Sequence, residues 1–288
     1  RFNPAELIML DRDESALHEV QLSIHGRALL NTPQTVLADI RDKETIRTIF
    51  ASRKPEVVFH AAALKHLPLL ETYPSEAFQT NVTGTLTLLE AAAEVGVGVF
   101  VNISTDKAAN PISVLGYSKR IAERITAQFG NTVSTGKYMS VRFGNVLGSR
   151  GSVLTSFRDQ IANGGPLTVT HRGVTRFFMT ISEAVQLVIQ AGAIGKSGEA
   201  LVLDMGTPVS IFDVAKQLVA NSGKAIDIEI VGLRAGEKVH EELFGDGETD
   251  VRPAHPLISH VVVPPITTAA VQALPNDARQ TMIDLASS

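Results

Sequence analysis

Val97-Gly98-Val99-Phe100-Val101-Asn102-Ile103-Ser104-Thr105-Asp106-Lys107 is the stretch that decides how this chain folds. Residues 97–103 read as a strand, which then delivers a hydroxyl, a carboxyl and an amine in succession. Mostly apolar runs of this length suit strands covered on both faces, as in a parallel sheet. In open parallel sheets, ligands bind beyond the carboxyl ends of the strands. Chemistry is therefore expected at Ser104-Thr105-Asp106-Lys107.

The same arrangement recurs on either side. Residues 139–143 form a strand that ends at Gly144-Asn145-Val146. Val57-Val58-Phe59-His60 runs into Ala61-Ala62-Ala63. Thr35-Val36-Leu37-Ala38 stops at Asp39-Ile40, and Leu7-Ile8-Met9-Leu10 stops at Asp11-Arg12. Helical patterns cover residues 15–24, 43–52, 74–95 and 116–129. Strands alternating with helices imply βαβ units, and right-handed crossovers wind these onto both faces of one sheet. The expected class is α/β, a Rossmann-like doubly wound parallel sheet with a smaller C-terminal lobe. Gly164-Gly165-Pro166 marks the change of rhythm. The division is drawn at residues 1–163 and 164–288, with residues 181–193 returning as a helix against the main sheet and a variable tail from Pro264.

Composition narrows the classes. The 288 residues are 44% hydrophobic, enough for a large core. With 26 Lys and Arg against 30 Asp and Glu, the net charge of −4 gives no case for nucleic acid as a partner. The absence of cysteine excludes disulfides, thiolate nucleophiles and Cys-based zinc sites. No run of about 18 apolar residues suggests a membrane span, and no signal peptide is visible. The opening Arg1-Phe2-Asn3-Pro4 lacks an initiator Met, so an incomplete N-terminus is expected.

An acid at the end of the second strand of a dinucleotide fold accepts hydrogen bonds from the adenosine ribose. Asp11 fits that role; it also fits a helix N-cap, since Asp11-Arg12-Asp13-Glu14-Ser15 opens a helix. A carboxylate there repels a 2′-phosphate and favours NAD, whereas Arg12 beside it favours NADP. Asp39, Ile40, Ala61, Ala62 and Ala63 stand at the neighbouring strand ends and extend the candidate cofactor wall, which makes residues 1–163 an NAD(P)-binding unit. The Gly-rich phosphate loop belongs roughly 20 residues before the acid. Only ten residues precede Asp11, none of them Gly. The first strand and its glycine loop are expected to be missing from this numbering.

Ser104-Thr105-Asp106-Lys107-Ala108-Ala109-Asn110-Pro111 resembles the polysaccharide-biosynthesis branch of the extended short-chain dehydrogenase/reductases, best known for UDP-N-acetylglucosamine 4,6-dehydratases. Further blocks agree in order: Ala61-Ala62-Ala63-Leu64-Lys65-His66, Asn81-Val82-Thr83-Gly84-Thr85, the run from Arg142 to Val153, Thr175-Arg176-Phe177-Phe178-Met179 and Arg234-Ala235-Gly236-Glu237-Lys238. The resemblance spans about Leu7 to Pro265. It implies a lyase acting on a UDP-sugar, with tightly bound NAD or NADP regenerated each turnover, for surface polysaccharide or glycan synthesis. It also implies a homo-oligomer, a cytoplasmic location and, as in the large members of the branch, a membrane anchor upstream of residue 1.

The implied reaction oxidises C4 of the sugar, eliminates water across C5–C6 and returns the hydride to C6. Asp106 would protonate the departing 6-hydroxyl, and Lys107 would take the C5 proton. On this reading Asp106 needs a raised pKa and Lys107 a lowered one. Thr105 would bond the C4 oxygen, Lys119 the nicotinamide ribose, and Asn81 would keep the helix geometry or a water path behind Lys119. Without the resemblance, Asp106-Lys107 reads as a surface ion pair before a turn, and Lys119 as a solvated helix residue.

One departure is evident. The family usually carries a Tyr four residues before the helix Lys, one turn away on the same face, to deprotonate the C4 hydroxyl. Here that position is Leu115. Tyr117 lies two residues before Lys119, about 200° around the helix. The large membrane-anchored members carry Met at this position, so an apolar residue there is compatible with catalysis. The C4 base stays open among Lys107, Asp106, a water and Tyr117.

For the sugar nucleotide, the resemblance puts Lys65 and His66 near the sugar. Asn145 and Ser152 offer neutral hydrogen bonds, and Glu237 a bond to ribose or sugar. Arg150, Arg176, Arg234 and Lys238 are cations for the two phosphates. Taken singly, each Arg also reads as a surface charge and His66 as a core histidine. His240-Glu241-Glu242 has no common zinc spacing, and no metal is expected. Alternatives are an epimerase, a 5-inverting dehydratase, or a non-catalytic binding protein on the same scaffold. Leu115 and the missing glycine loop favour the last; Asp106 and Lys107 oppose it.

Overall fold

The structure is a computed structural model that describes residues 4–27, 31–149, 151–272 and 275–288. Its first half runs β1 (Met9–Asp11), α1 (Glu14–His25), β2 (Thr35–Leu37), α2 (Lys43–Arg53), β3 (Val57–His60), α3 (Leu67–Thr72), α4 (Pro74–Ala77), a π-helical turn (Phe78–Thr83), α5 (Gly84–Val95), β4 (Val99–Ile103), α6 (Val114–Thr132) and β5 (Lys137–Arg142). The second half continues with β6 (Asn145–Val146), α7 (Val153–Ala162), β7 (Leu167–Val169), β8 (Thr175–Arg176), β9 (Phe178–Met179), α8 (Ile181–Ile194), β10 (Glu199–Leu203), β11 (Val209–Ser210), α9 (Ile211–Ser222), β12 (Ile228–Ile230), β13 (Ile258–Val262) and α10 (Ala278–Ser287).

The central sheet has the order β13-β10-β5-β4-β3. Its pairs are parallel except β10 with β13. This is the expected doubly wound α/β class. The side chains obey the two-residue alternation of a strand. Phe100 and Tyr138 point into a core shared with α2, α5, α6 and α10. Val101 and Met139, one residue on, point into a core under α8. Burying Phe100 completely contributes about 1.5–3 kcal/mol relative to leaving it exposed. β1 and β2 form a separate parallel pair, and no ladder joins β1 to β3 among the described residues. Val57 and Phe59 on β3 are exposed.

A third core of Phe157, Leu167, Val169, Val174, Ile211 and Ala215 belongs to the smaller lobe. Residues beyond 163 do not all lie in that lobe, because β10 and β13 extend the central sheet. The stretch from Pro264, expected as a variable tail, carries α10. Ala278 and Met282 are buried in the α6 core. Arg124 of α6 donates to the carbonyls of Pro264 (3.0 Å) and Leu285 (2.6 Å). Residues 74–95, read as one helix, are interrupted by the π turn.

Candidate active site

The loop after β4 is held as an extension of the sheet. The Ser104 N–H donates to Val141 O (2.7 Å) and the Asp106 N–H to Phe143 O (3.1 Å). Thr105, in extended backbone, caps a short 3₁₀ turn over Asp106–Ala108. Its hydroxyl donates to Asp106 Oδ1 (2.9 Å), and Lys107 Nζ donates to the same oxygen (3.0 Å). Asp106 is fully buried, and its Oδ2 has no partner among the described residues. Two glycines permit this packing. A Cβ on Gly144 would stand 3.0 Å from Asp106 Oδ2, and one on Gly116 would stand 2.4 Å from Lys107 O. The sequence-predicted trio Thr105, Asp106 and Lys107 is therefore one contiguous cluster.

Lys107 also faces Glu241, whose Oε1 lies 3.4 Å from its Nζ. Burial alone would pull the Lys107 ammonium down, but Asp106 and Glu241 outweigh it and hold the group above the ordinary lysine range. This corrects the expectation of a lowered Lys107. A neighbour 134 residues further along the chain supplies a charge that the local sequence does not reveal. Arg176 stands behind Glu241 at 3.9 Å and donates to Glu237 Oε1 at 3.1 Å.

Residues 236–248 cross the loop after β4 as a strap. Lys238 Nζ donates to Ala109 O (3.1 Å). Asn110, in the left-handed region at φ 42°, donates to Asp246 Oδ1 (3.0 Å) and accepts from the Asp246 N–H (2.8 Å); Asn tolerates that conformation better than most residues. Beneath the loop lies an ionic lattice that sequence reasoning missed. Ser104 Oγ donates to Glu123 Oε1 (2.7 Å). Arg142 donates to both oxygens of Glu123 (3.0 and 2.7 Å) and to Glu248 Oε2 (2.6 Å). Arg120 bridges Glu123 and Glu248. Burial would raise the Glu123 carboxyl, and Arg142 beside it holds it below the usual range instead. The one local signal was Glu123 lying one helical turn after Lys119.

Lys119 is nearly buried, and its Nζ donates to Ile103 O (2.8 Å) at the carboxyl end of β4. Desolvation lowers its pKa to about 8 against the opposing charge of Glu123. Asn81 accepts from Leu64 N (2.8 Å) and donates to Leu64 O and Ser118 Oγ (3.0 Å each). It thus ties the loop after β3 to the Lys119 helix. Leu115 is buried in the larger core, and Tyr117 packs against that core.

A cavity of about 190 Å³ opens at the strand ends, lined by Leu10, Asp11, Arg12, Ala38, Asp39, Ile40, Ala61, Ala62, Ala63, Leu64 and Thr80. All seven candidate wall residues meet there, and Lys119, expected at the nicotinamide ribose, does not line it. The buried Thr80 hydroxyl has no partner among the described residues, so the cavity holds a spare donor for a polar ligand. Asp13 rather than Asp11 caps α1, accepting from Ser15 and Ala16, and Asp11 in turn accepts from the Asp13 N–H. Asp39 is gripped by Arg41 (2.7 and 2.9 Å), which lowers its pKa, and Arg12 approaches it at 3.7 Å.

The remaining candidates are distributed around this centre. The His66 ring lies against Gly151, so the loop after β3 touches the turn after β6. Lys65 and Arg234 are exposed, and Asn145 is half-buried. Ser152 caps α7 by accepting from Thr155 N. Glu237 accepts from Thr170 Oγ1 (2.9 Å) as well as from Arg176 and closes the Arg234 turn. Arg150 lies outside the described residues.

A parallel sheet between helices, with a buried acid–amine pair at a strand end, defines a Rossmann-like fold of the short-chain dehydrogenase/reductase type. The chain belongs to the polysaccharide biosynthesis protein family, whose model matches residues 1–263. It is 47% identical over 261 residues to the probable polysaccharide biosynthesis protein EpsC of Bacillus subtilis (89% of this chain, 44% of that protein). It is 46% identical over 254 residues to the capsular polysaccharide biosynthesis protein CapD of Staphylococcus aureus (86% and 42%). The chain thus spans less than half the length of these relatives. Identity to the UDP-glucose 4-epimerase of Rickettsia akari is 36% (83% and 68%). Among solved structures, Pen from Bacillus thuringiensis superimposes with a TM-score of 0.80 at 31% identity (91% and 81%). The dTDP-glucose 4,6-dehydratase DesIV from Streptomyces venezuelae, with NAD and DAU bound, does so with a TM-score of 0.73 at 23% identity (84% and 80%).

Proposed function

We propose that this chain carries the catalytic unit of a nucleotide-sugar 4,6-dehydratase acting on UDP-N-acetylglucosamine. The contact of Lys107 Nζ with the buried Asp106 carboxylate at 3.0 Å carries the reading. One proton shift along that hydrogen bond converts the ion pair into an amine beside a carboxylic acid. Lys107 then takes the C5 proton, and the C–H electron pair becomes the C5–C6 double bond. Asp106 gives its proton to the 6-hydroxyl, which leaves as water with the C6–O pair. The resting ion pair is thereby restored. Thr105, bonded to Asp106, faces the C4 oxygen in this reading.

NAD or NADP along Asp11, Arg12, Ala61–Ala63 and Lys119 would supply hydride acceptance at C4 and return at C6. The small side chains of Ala61–Ala63 and the unpaired Thr80 hydroxyl fit such a ligand. Residues 1–163 take the cofactor in this reading, while Lys65, His66, Asn145, Arg176 and Arg234 serve the UDP-sugar. A homo-oligomer, a membrane anchor outside this chain and a cytoplasmic reaction belong to the same proposal. No described helix is long and apolar enough to cross a membrane.

Mass analysis after incubation with NAD and UDP-N-acetylglucosamine tests it. Loss of one water from the sugar is expected. An unchanged mass with a new stereoisomer would replace the reading by an epimerase, which the similarity to the Rickettsia protein favours.

A further inference from the structure

Glu241 reaches the catalytic pair from outside its loop, and no part of the reaction above uses it. Its side chain is 3% exposed. Its neighbours in the strap are spoken for: Glu237 accepts from Thr170 and Arg176, and Glu242 from Lys238 and Asn110. Among the described residues Glu241 has no such donors. Its Oε1 faces Lys107 Nζ at 3.4 Å and Arg176 Nε at 3.9 Å, and its Oε2 has no hydrogen-bond partner among them. A buried carboxylate of this kind is tolerated only against cations. Arg176 is already bonded to Glu237, so Lys107 is the nearer and less committed of the two.

We propose that Glu241 is a positioning residue that holds Lys107 as an ammonium ion against Asp106, so that Lys107 becomes a base only by passing its proton to Asp106. The inference rests on the reading of Lys107 as the base. The charges that face Lys107 are Asp106 from its own loop, Glu241 from the strap and Arg176 from β8. Two carboxylates thus oppose one shared guanidinium. The second carboxylate matters because Asp106 alone must do two jobs, pairing with the ammonium and then accepting its proton. Once Lys107 has taken the C5 proton and is an ammonium again, Glu241 gives it a partner while Asp106 delivers its own proton to the 6-hydroxyl. Removing the Glu241 charge makes neutral Lys107 easier to reach, and removing Arg176 makes it harder.

The test is the pH dependence of Lys107 acylation by acetic anhydride, quantified by peptide mapping on the full chain with NAD present. In Glu241→Gln the midpoint is expected to fall by about one pH unit. In Glu241→Asp it stays within a few tenths of the unsubstituted value, and in Arg176→Gln it moves up. A common midpoint in Glu241→Gln and the unsubstituted chain overturns the proposal. Should Glu241→Gln fail to fold, an Arg176→Gln midpoint that stays put overturns it equally. With UDP-N-acetylglucosamine, the falling alkaline limb of kcat against pH is expected to move with the acylation midpoint, because a pair that has lost its proton to solvent has no acid for the 6-hydroxyl; a fixed limb overturns the role in turnover. Absence of water loss at every pH would reject the substrate reading, while the acylation midpoints would still decide the place of Glu241.

Discussion

Beneath Ser104, Glu123, Arg142, Glu248 and Arg120 satisfy one another: each oxygen of Glu123 and Glu248 accepts at least one hydrogen bond. Beside it, Asp106, Lys107 and Glu241 form a cluster of similar burial in which Asp106 Oδ2 and Glu241 Oε2 accept none from the described residues. Both clusters are ionic, and both join the sheet to the strap. Their difference lies in how much hydrogen-bonding capacity is left over. Buried polar groups are normally paired, and exceptions call for an explanation. The filled lattice fixes where the loop sits. In the proposed reaction, the unfilled one keeps acceptors and a mobile proton for the sugar.

Substitutions separate the two. Asp106→Asn keeps the shape and removes the proton. Dehydration of UDP-N-acetylglucosamine should fall about 10²–10⁴-fold, while the thermal midpoint stays nearly constant. A variant retaining most of its turnover would erase the distinction. Arg142→Met should do the reverse, because it leaves Glu123 and Glu248 buried without their main countercharge. A stability loss of about 3–5 kcal/mol is expected in denaturant titration; a loss under about 1 kcal/mol would show the lattice to be dispensable.

His60 supplies a third kind of buried titratable group, one with no ionic partner, its Nε2 paired only with Thr85 Oγ1 (2.8 Å). Burial, assisted by Lys119, lowers its pKa from 6.5 to about 3. The unfolded chain therefore takes up a proton below pH 6.5 that the folded chain refuses until about pH 3. Stability present above pH 6.5 is lost as the pH falls through that window. Between pH 7 and pH 5, His60→Gln should lose about 2 kcal/mol less than the unsubstituted chain. Equal losses would mean that His60 is not held neutral.

The legible features were those decided by neighbours in sequence. The apolar run ending at Ile103, the hydroxyl-acid-amine series after it and the small residues at Ala61–Ala63 describe a strand end without help from elsewhere. The illegible ones depend on distant partners. Lys107 was expected to be lowered because only Asp106 is visible beside it, whereas Glu241 arrives from the strap. Arg142 opens one of the blocks that resemble the family, yet its side chain is consumed by Glu123 and Glu248. Asp11 also fitted a helix N-cap, but the cap of α1 is Asp13, two residues on, which accepts from Ser15 and Ala16. The stretch from Pro264 has little periodicity of its own; its anchor, Arg124, lies 140 residues earlier.

The π turn at Phe78–Thr83 works as a phase setter. A π turn accommodates one residue more than an α turn, and one residue is about 100° of rotation along a helix. Ala77 just before the turn and Phe78 at its start face the core; downstream, so do Leu86 and Leu89. Within it, Asn81 is swung onto Leu64 and Ser118. Deleting a single residue here would let the helix run on as ordinary α and rotate α5 by about 100° relative to the segment before it, so that the two apolar faces could not both meet the core. The grip of Asn81 on the loop after β3 is thus a matter of angular bookkeeping as well as of its amide, whose hydrogen bonds one extra residue brings into line.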